Sequence, residues 1–443
     1  MSVLKWRDPR QQLFYCAALD LLGIVVIFSL IDLYRPYLGV DRQLFWLSLI
    51  GFSYLSLGWL FGSYTVLRWR RIPIYAVVQR VVTAGVATVA VTALFRMALN
   101  PSETIWIVHR STQITWLLPQ LAWSLLVRAL LRRGLILSAD PNYVLIADDG
   151  QAALIQAAWS RTPSRQTLQR LSLEDVLSQK PPIVVAIAPT QEGHSQQHVL
   201  LDRIEQRDPR EFSLTTPLNL IERHLERLPP ALLPEPWINF GDLPWNDPFN
   251  PQRQLKRVAD VLLAGGLLVM TSPLMVIASL LIWLEDRGPI LYVQERSGWL
   301  GRIFSVYKLR TMNVAPHDAP PQWTLLGDQR ITRVGQWLRR TRLDELPQLL
   351  NVLIGDMSLI GPRPERPELE HQLEAQIPHY RKRHWMRPGL SGWAQVCAPY
   401  AASIDDSELK LSYDLYYLKN FSTWLDLMIL FRTIKTVLKA GGR

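Results

Sequence analysis

Four apolar segments fill the first third of the chain, at about residues 12–34, 44–67, 73–95 and 112–131. The first, second and fourth come close to the ~20 apolar residues that a membrane-spanning helix needs, whereas Arg80 interrupts the third. Basic residues follow a consistent pattern at the ends of these segments: Lys5, Arg7 and Arg10 before the first, Arg68, Arg70 and Arg71 between the second and third, and Arg128, Arg132 and Arg133 at the end of the fourth. Because positive charge marks cytoplasmic ends, residues 1–140 are predicted to form four transmembrane helices with both ends in the cytoplasm.

The hydrophobic pattern changes over residues 141–240. The strings "YVLIAD" and "IVVAIA" predict short buried strands, and "QHVLLDRIEQRD" predicts an amphipathic helix. This alternation indicates a small Rossmann-like α/β domain with a parallel sheet. A dinucleotide site would need G-x-G-x-x-G after the first strand, and only Gly150 is present there. A structural or oligomerising role for this domain is therefore favoured over nucleotide binding.

A fifth apolar run, from Val261 to Leu284, follows a linker rich in Pro, Trp and Asn and contains Ser272 and Pro273 near its middle. As a full span, it would place the two flanking regions on opposite sides of the membrane. As a re-entrant hairpin over 258–285, it would break at Ser272 and Pro273 and return to the same side. Basic residues flank both ends: Arg253, Lys256 and Arg257 before the run, and Arg287, Arg296, Arg302, Lys308 and Arg310 after it. The re-entrant form is favoured, because both flanks look cytoplasmic.

Composition supports a membrane protein rather than a nucleic-acid binder. The 48 Lys and Arg outnumber 38 Asp and Glu, but 49% of the residues are hydrophobic and 17 are Trp. Such a mixture is typical of apolar helices with basic flanks. The two cysteines, Cys16 and Cys397, are too few for a disulfide framework or a four-thiolate metal site. The long first apolar segment is also not expected to be a cleavable signal peptide.

An adjacent acid pair, Asp344 and Glu345, stands out within "RRTRLDELPQLLNVLIGDMSLIGPRPE". Leucines follow the pair at helical spacing, and Pro347 requires that helix to begin near Asp344. A helix N-terminus stabilises negative charge. One interpretation is that Asp344 is only an N-cap and Glu345 a first-turn acid. The alternative is a chemical role beside the surrounding arginines.

Carboxylates next to arginines in a basic, membrane-apposed domain favour phosphoryl chemistry. Arg363 lies between two prolines, which suits a guanidinium that grips phosphate. One carboxylate can attack phosphorus while the other holds Mg²⁺, an ion that takes oxygen ligands.

Four strings resemble one family: "VYKLRTM", "RITRVGQWLRRTRLDELPQLLNVLIGDMSLIGPRPE", "MRPGLSGWAQV" and "YDLYYLKN". They occur in the order found in the bacterial sugar transferases, the polyprenyl-phosphate phosphoglycosyl transferases with one membrane-embedded catalytic hairpin. The resemblance covers 250–443 and implies a mainly helical catalytic domain. The N-terminal half looks like that of the larger members, which prime capsule, exopolysaccharide or O-antigen synthesis at the cytoplasmic face of the bacterial inner membrane.

The resemblance implies transfer of a sugar-1-phosphate from a UDP-sugar to polyprenyl (undecaprenyl) phosphate with release of UMP. The implied partners are these two substrates and membrane lipid, with self-association left open and no nucleic acid. The implied roles are a nucleophile at Asp344, a Mg²⁺ ligand at Glu345, a uridine diphosphate site at Pro362, Arg363 and Pro364, phosphate contacts at Lys308, Arg310 and Arg339, and the hairpin break at Ser272 and Pro273.

Two features depart from the family pattern. No arginine lies in the stretch directly after "WAQV", and the α/β domain has no glycine-rich turn. Two other functions stay open: a non-catalytic scaffold of polysaccharide assembly, and a membrane nucleotide-sugar dehydratase or epimerase. The second lacks support, because none of the 14 tyrosines has a lysine four residues later. Tyr413, Tyr416 and Tyr417 are predicted to pack, and "WLDLMILFRTIKTVLK" is predicted to lie on the membrane surface as an amphipathic helix.

Overall fold

The computed structural model divides into two compact units, Met1–Leu225 and Glu226–Arg443. Residues 226–243, which the sequence places in or beside a linker, belong to the second unit. Trp393 Nε1 donates to the carbonyl oxygen of Glu226 (2.9 Å), and the amide of Leu228 donates to the carbonyl oxygen of Ser412 (2.8 Å). The structure describes residues 9–34, 40–64, 74–99, 110–133, 142–161, 167–172, 175–179, 181–188, 202–204, 206–208, 211–243, 246–247, 249–313, 328–398 and 403–438.

The first unit begins with four helices: α1 (Pro9–Tyr34), α2 (Val40–Leu60), α3 (Ile74–Leu99) and α4 (Arg110–Arg133). Their apolar stretches Leu13–Leu33, Ile74–Leu99 and Thr112–Leu131 are long enough to cross a membrane, and that of α2, Leu44–Leu60, is shorter. The predicted second segment was therefore too long. The chain leaves α2 in a turn at Gly62, whose φ of 74° suits glycine. These apolar helices indicate a membrane protein.

A buried ion pair joins the middle of α1 to the last third of α4. Arg128 donates to both carboxylate oxygens of Asp20, at 3.1 and 2.9 Å, and both side chains are almost fully buried. The same guanidinium donates to the side-chain oxygen of Ser63, just beyond α2, at 2.6 Å. Arg80, the residue that weakened the third segment, lies near the same turn and donates to the carbonyl oxygen of Gly62 (3.4 Å). These contacts bring the first residues of α1 and the last residues of α4 to the same end of the bundle.

The remainder of the first unit is the predicted α/β domain. Its four strands form a parallel sheet in the order β2-β1-β3-β4, and its core includes Val144, Ile183 and Val185. The parallel sheet is thus confirmed, although the helix predicted at 197–208 lies largely outside the described residues. The elements are β1 (Asn142–Ile146), α5 (Asp149–Ser160), β2 (Leu168–Arg170), β3 (Ile183–Ile187), β4 (Phe212–Thr215) and α6 (Pro217–Leu225).

The second unit opens with α7 (Pro251–Asp286), a continuous helix of 36 residues that is also long and apolar enough to span a membrane. The predicted break at Ser272 and Pro273 is wrong as an interruption of the helix. Pro273 cannot donate to the carbonyl oxygen of Val269, but the Ser272 hydroxyl donates to that oxygen instead (2.8 Å). The helix therefore continues because a side chain satisfies the acceptor that proline leaves free.

Short elements follow α7 and surround the acid pair. Tyr413, Tyr416 and Tyr417 are buried, so their predicted packing role is confirmed. The last helix buries Leu425 and Ile429 on one face and exposes Trp424, Leu427, Phe431 and Ile434 on another, and its predicted place on the membrane surface stays a prediction. The elements are β5 (Leu291–Ser297), β6 (Ile303–Leu309), α8 (Arg333–Thr341), α9 (Gln348–Ile354), β7 (Ser358–Ile360), α10 (Pro367–Gln376), β8 (Gly389–Ser391), α11 (Trp393–Cys397), α12 (Ile404–Lys419) and α13 (Thr423–Leu438).

Candidate active site

The acid pair lies in a tight turn between α8 and α9. Arg342 ends α8 with a left-handed backbone (φ 60°, ψ 17°), and a single 3-10 turn, Leu343–Glu345, follows it. The first residue of α9 is Gln348, directly after Pro347. The prediction that a helix begins near Asp344 is therefore close. The left-handed conformation of Arg342 changes the direction of the chain, so that both carboxylates lie beside β6 and not along one face of a helix.

The carboxylate of Asp344 has a buried oxygen atom that no hydrogen bond compensates for the loss of water. Its Oδ1 atom is buried and has no hydrogen-bond partner. Burial, followed by the negative charge of Glu345, raises the pKa of Asp344 to about 6. Positive charge on Lys308 and Arg339 opposes this shift without cancelling it. An N-cap aspartate would accept a backbone hydrogen bond, and the turn that carries Asp344 shows no side-chain cap. The helix-cap interpretation is therefore not supported.

Glu345 is compensated by three basic groups that all approach its Oε1 atom. Arg363 Nη2 donates to it at 2.6 Å, Arg342 Nη1 lies at 3.7 Å and Lys308 Nζ at 3.9 Å. Burial alone would raise the pKa of Glu345, but the charges of Arg363 and Lys308 bring it well below its usual range. Burial in turn lowers the pKa of Lys308 to about 8, and the nearby Arg363 adds to that shift. Two adjacent carboxylates thus differ sharply in proton affinity.

The structure gathers most, but not all, of the predicted site residues. Arg339 interacts electrostatically with Asp344, and its Nε donates to the hydroxyl of Thr311 (2.9 Å). Arg310 does not join the group. Its guanidinium is bonded to both carboxylate oxygens of Asp286 and to the carbonyl oxygen of Pro289 (2.6 Å). Arg310 therefore pairs with Asp286 at the end of α7, and its predicted phosphate contact stays a prediction.

Pro362, Arg363 and Pro364 form a loop that is held by close backbone packing. The amide of Gly389 donates to the carbonyl oxygen of Pro362 (2.8 Å), and the amide of Gly361 donates to that of Ser391 (2.8 Å). A Cβ atom on Gly361 would lie 2.4 Å from a backbone oxygen, so this approach requires glycine. The three loop residues also line a small cavity of about 10 Å³.

A buried arginine supports this loop from behind. Arg383 Nη2 donates to the carbonyl oxygen of Arg363 (2.8 Å) and to Asp414 Oδ2 (3.1 Å). Its Nη1 donates to the hydroxyl of Tyr380 (2.6 Å). Sequence reasoning missed Arg383, Asp414 and Arg342. The position of Arg342, two residues before the pair, was a signal, whereas the distant Arg383 carries none.

The donor set is compatible with magnesium. Among the described residues, no group of three or more His, Cys, Asp or Glu could hold a metal ion, so the protein would contribute at most the acid pair. Mg²⁺ commonly takes one or two carboxylates and completes its shell with waters and substrate phosphates. The unpartnered Oδ1 of Asp344 and the acidity of Glu345 suit that chemistry.

Residues 251–440 match the family described as bacterial sugar transferase. Over 190 residues the chain is 50% identical to a UDP-N-acetylgalactosamine-undecaprenyl-phosphate N-acetylgalactosaminephosphotransferase of Aeromonas hydrophila, which is 42% of this chain and 44% of that protein. It is 42% identical over 185 residues to a UDP-glucose:undecaprenyl-phosphate glucose-1-phosphate transferase of Caulobacter vibrioides, covering 41% of this chain and 69% of the relative.

A third relative, an exopolysaccharide production protein of Rhizobium leguminosarum, is 38% identical over 193 residues, 42% of this chain and 96% of that protein. The matches leave the N-terminal half of this chain uncovered, and they span less than half the length of the Aeromonas relative. The four strings, the acid pair with its basic neighbours and these similarities agree, and the chain belongs to the bacterial sugar transferase family.

Proposed function

We propose that this protein transfers a sugar-1-phosphate from a UDP-sugar to undecaprenyl phosphate, releases UMP, and passes through a covalent intermediate on Asp344. The observation that carries the proposal is the contrast within the acid pair. Glu345 is neutralised by three cations, whereas the Asp344 Oδ1 is buried, unpartnered and free to react. The names of the relatives, which include glucose and N-acetylgalactosamine transferases, support the reaction class.

The first half-reaction forms one bond and breaks another. Oδ1 of Asp344 attacks the sugar-bearing phosphorus of the diphosphate, an O–P bond forms, and the bond from that phosphorus to the bridging oxygen breaks. UMP leaves with the electron pair. With a pKa of about 6, Asp344 is roughly nine-tenths ionised at pH 7. A desolvated carboxylate of raised basicity is a better nucleophile than a solvated one. In the second half-reaction an oxygen of the lipid phosphate attacks the same phosphorus and releases the Asp344 carboxylate.

The charges of the site complement a diphosphate. Lys308, Arg339 and two further arginines supply four cations against the two carboxylates, which leaves a surplus of two positive charges. The diphosphate of a UDP-sugar carries two negative charges, so binding neutralises the site. Because these side chains are held before substrate arrives, little reorganisation is needed when charge moves to the leaving UMP.

We also propose that Glu345 contributes to a Mg²⁺ site with the substrate diphosphate. The basic groups described above all approach Oε1, which leaves Oε2 of Glu345 as the oxygen for a cation. When bound, the ion would screen the negative charge of the diphosphate.

The catalytic unit is proposed to lie on one side of the membrane, with α7 re-entrant. Near the start of α7, Asp260 accepts from the amide of Leu359 (3.0 Å). Near its end, Glu285 accepts from the amide of Arg333 (3.0 Å). Both ends therefore pack on the same globular unit, while residues 265–277 between them bury no side chain. If α7 crossed the membrane fully, Asp260 and Glu285 would lie at opposite faces of it, and the polar unit that both of them contact would have to lie within the hydrocarbon core.

The bundle supports a cytoplasmic location for both termini of the N-terminal helices. The contact between Asp20 and Arg128 places the start of α1 and the end of α4 on one side, as four antiparallel spans require. The excess of basic residues at those ends favours the cytoplasmic face of the inner membrane. The UDP-sugar would then reach the site from the cytoplasm and the lipid acceptor from the membrane beside α7.

The decisive experiment measures UMP release by purified membranes from a panel of UDP-sugars, with Mg²⁺ and undecaprenyl phosphate. Wild type should release UMP from at least one donor, and Asp344→Asn should release none. Asp405→Asn, the same change at an exposed position, should retain wild-type turnover. UMP release that survives Asp344→Asn would refute the covalent mechanism. Failure of every donor would favour the scaffold interpretation.

The topology has its own test. A cysteine at position 405, in a Cys397→Ser background, should react with a membrane-impermeant maleimide only after the cells are lysed. Labelling in intact spheroplasts would refute the re-entrant arrangement of α7.

A further inference from the structure

Gln348 begins α9 and is almost completely buried, with 3% of its surface exposed. Its Nε2 atom, a double hydrogen-bond donor, has no partner. Leaving a buried donor unsatisfied is unfavourable, so a core position does not retain such a donor unless another interaction compensates for it. Asn351, on the same helix, shows the usual outcome. Its Nδ2 donates to the carbonyl oxygen of Ser305 (2.8 Å), and its Oδ1 accepts from the amide of Tyr307 (3.3 Å).

The missing partner of Gln348 is an acceptor. An N–H group cannot ligate a metal ion, so a bound cation would not satisfy it. One turn away, the Oδ1 of Asp344 is likewise buried and unpartnered, and the two atoms are not hydrogen-bonded to each other. Three basic side chains approach Oε1 of Glu345, whereas none of the described side chains donates a hydrogen bond to Oδ1 of Asp344. The unpartnered amide of Gln348 is therefore a candidate donor for a group attached to that oxygen.

We propose that the Gln348 amide donates to a non-bridging phosphoryl oxygen once the phospho-sugar is attached to Asp344. This inference rests on the proposed function. When the O–P bond to Oδ1 forms, the non-bridging phosphoryl oxygens lie two bonds beyond that atom, and Gln348, four residues along the chain from Asp344, holds a buried donor without a partner. Before the reaction, no bond joins the phosphorus of the bound UDP-sugar to Asp344, so its phosphoryl oxygens are farther from the Gln348 amide than they are in the intermediate. The hydrogen bond therefore forms with the intermediate and the transition states that flank it.

Gln348→Met tests the inference, because methionine keeps the length of the side chain and removes the donor. Since the wild-type donor is unsatisfied without substrate, the variant should keep or raise the Tm. A hydrogen bond to a charged phosphoryl group predicts a 10- to 100-fold lower kcat, with the KM for the UDP-sugar changed less than threefold. Intact-mass measurement without lipid acceptor should show the phospho-sugar adduct forming more slowly by a similar factor.

Two further variants make the outcome specific. Gln336→Met makes the same change at an exposed position of α8 and should leave kcat unchanged. Gln348→Glu keeps the shape but sets a negative charge against the phosphoryl group, and it should reduce kcat further than Gln348→Met.

The result that overturns the inference is wild-type adduct formation by Gln348→Met or Gln348→Glu in an enzyme whose wild type forms the adduct. A fall in kcat accompanied by an equal fall in the folded fraction also overturns it, since that would mark a purely structural residue. If the wild type forms no adduct, the covalent mechanism fails instead, so the two failures are distinguishable.

Discussion

Asp344→Asn should make the catalytic unit more stable while it abolishes transfer. The pKa of Asp344 rises from 3.8 in the unfolded chain to about 6 in the native protein. The native state therefore binds the proton more tightly than the unfolded chain does. Stability from this group is complete below pH ~4 and is lost as the pH rises to ~6. A shift of about two pKa units corresponds to about 3 kcal/mol, which the ionised carboxylate costs at neutral pH.

Asparagine removes the buried charge, so the substitution should recover up to about 3 kcal/mol at pH 7.5. For a unit of this size, that corresponds to a rise in Tm of roughly 6–12 °C. The gain should shrink towards zero below pH ~4, where the wild-type carboxyl becomes protonated in the unfolded chain as well as in the native protein.

Thermal unfolding of purified wild type and Asp344→Asn in detergent, at several pH values between 4 and 7.5, measures this difference. Asp405→Asn changes a solvated carboxylate and should show no such pH-dependent gain. A variant no more stable than wild type at pH 7.5, or a gain that is equal at pH 4, would refute the reasoning. The expected result would identify Asp344, the proposed nucleophile, as a site where the protein gives up stability for reactivity.

Four other predictions follow from the same structure. The rate of transfer should fall below pH ~6, as the proposed nucleophile Asp344 is protonated, and again above pH ~8, as Lys308 loses its charge; a pH–rate profile of UMP release measures both limits. Chelation of Mg²⁺ by EDTA should abolish turnover, and Glu345→Gln should raise the Mg²⁺ concentration needed for half-maximal rate; an unchanged Mg²⁺ dependence would argue against the ligand role. Gly361→Ala should lower stability by about 1–3 kcal/mol and reduce transfer, whereas Gly150→Ala, where a Cβ meets nothing within 4 Å, should do neither. Arg128→Leu should destabilise the bundle by about 3–5 kcal/mol because it leaves Asp20 buried and unpaired, and replacing both residues by leucine should restore most of the Tm; equal Tm values for the single and double variants would contradict this.

Pro273 in α7 shows why local sequence signals predict only part of the structure. Ser272 and Pro273 predicted a break, because proline removes a backbone donor. The neighbouring hydroxyl satisfies the freed carbonyl, and α7 continues. We still propose a re-entrant topology for α7, but for a different reason, which is that both ends of the helix pack on one unit. The residue pattern therefore pointed to the re-entrant topology, but the structural support for that topology comes from long-range contacts of α7.

Charge has a similar limit. Lys308 and Arg310 lie two residues apart on the same strand end, and both were predicted to contact phosphate. Only Lys308 approaches the acid pair. Arg310 instead pairs with Asp286 at the end of α7. Which of two nearby cations serves a site depends on which acid each meets in space, and sequence spacing carries no such information.

The apolar helices, the alternating α/β region and the acid pair between basic neighbours could all be predicted from the sequence, because hydrophobic periodicity, turn residues and charge act over short distances along the chain. The family could be predicted too, through four strings whose order and spacing are specific. The desolvation of Asp344 and the neutralisation of Glu345 could not, since burial and the approach of Arg363, from 18 residues away, are products of folding. Adjacent carboxylates of nearly equal intrinsic acidity become chemically different only when the fold gives each its own surroundings.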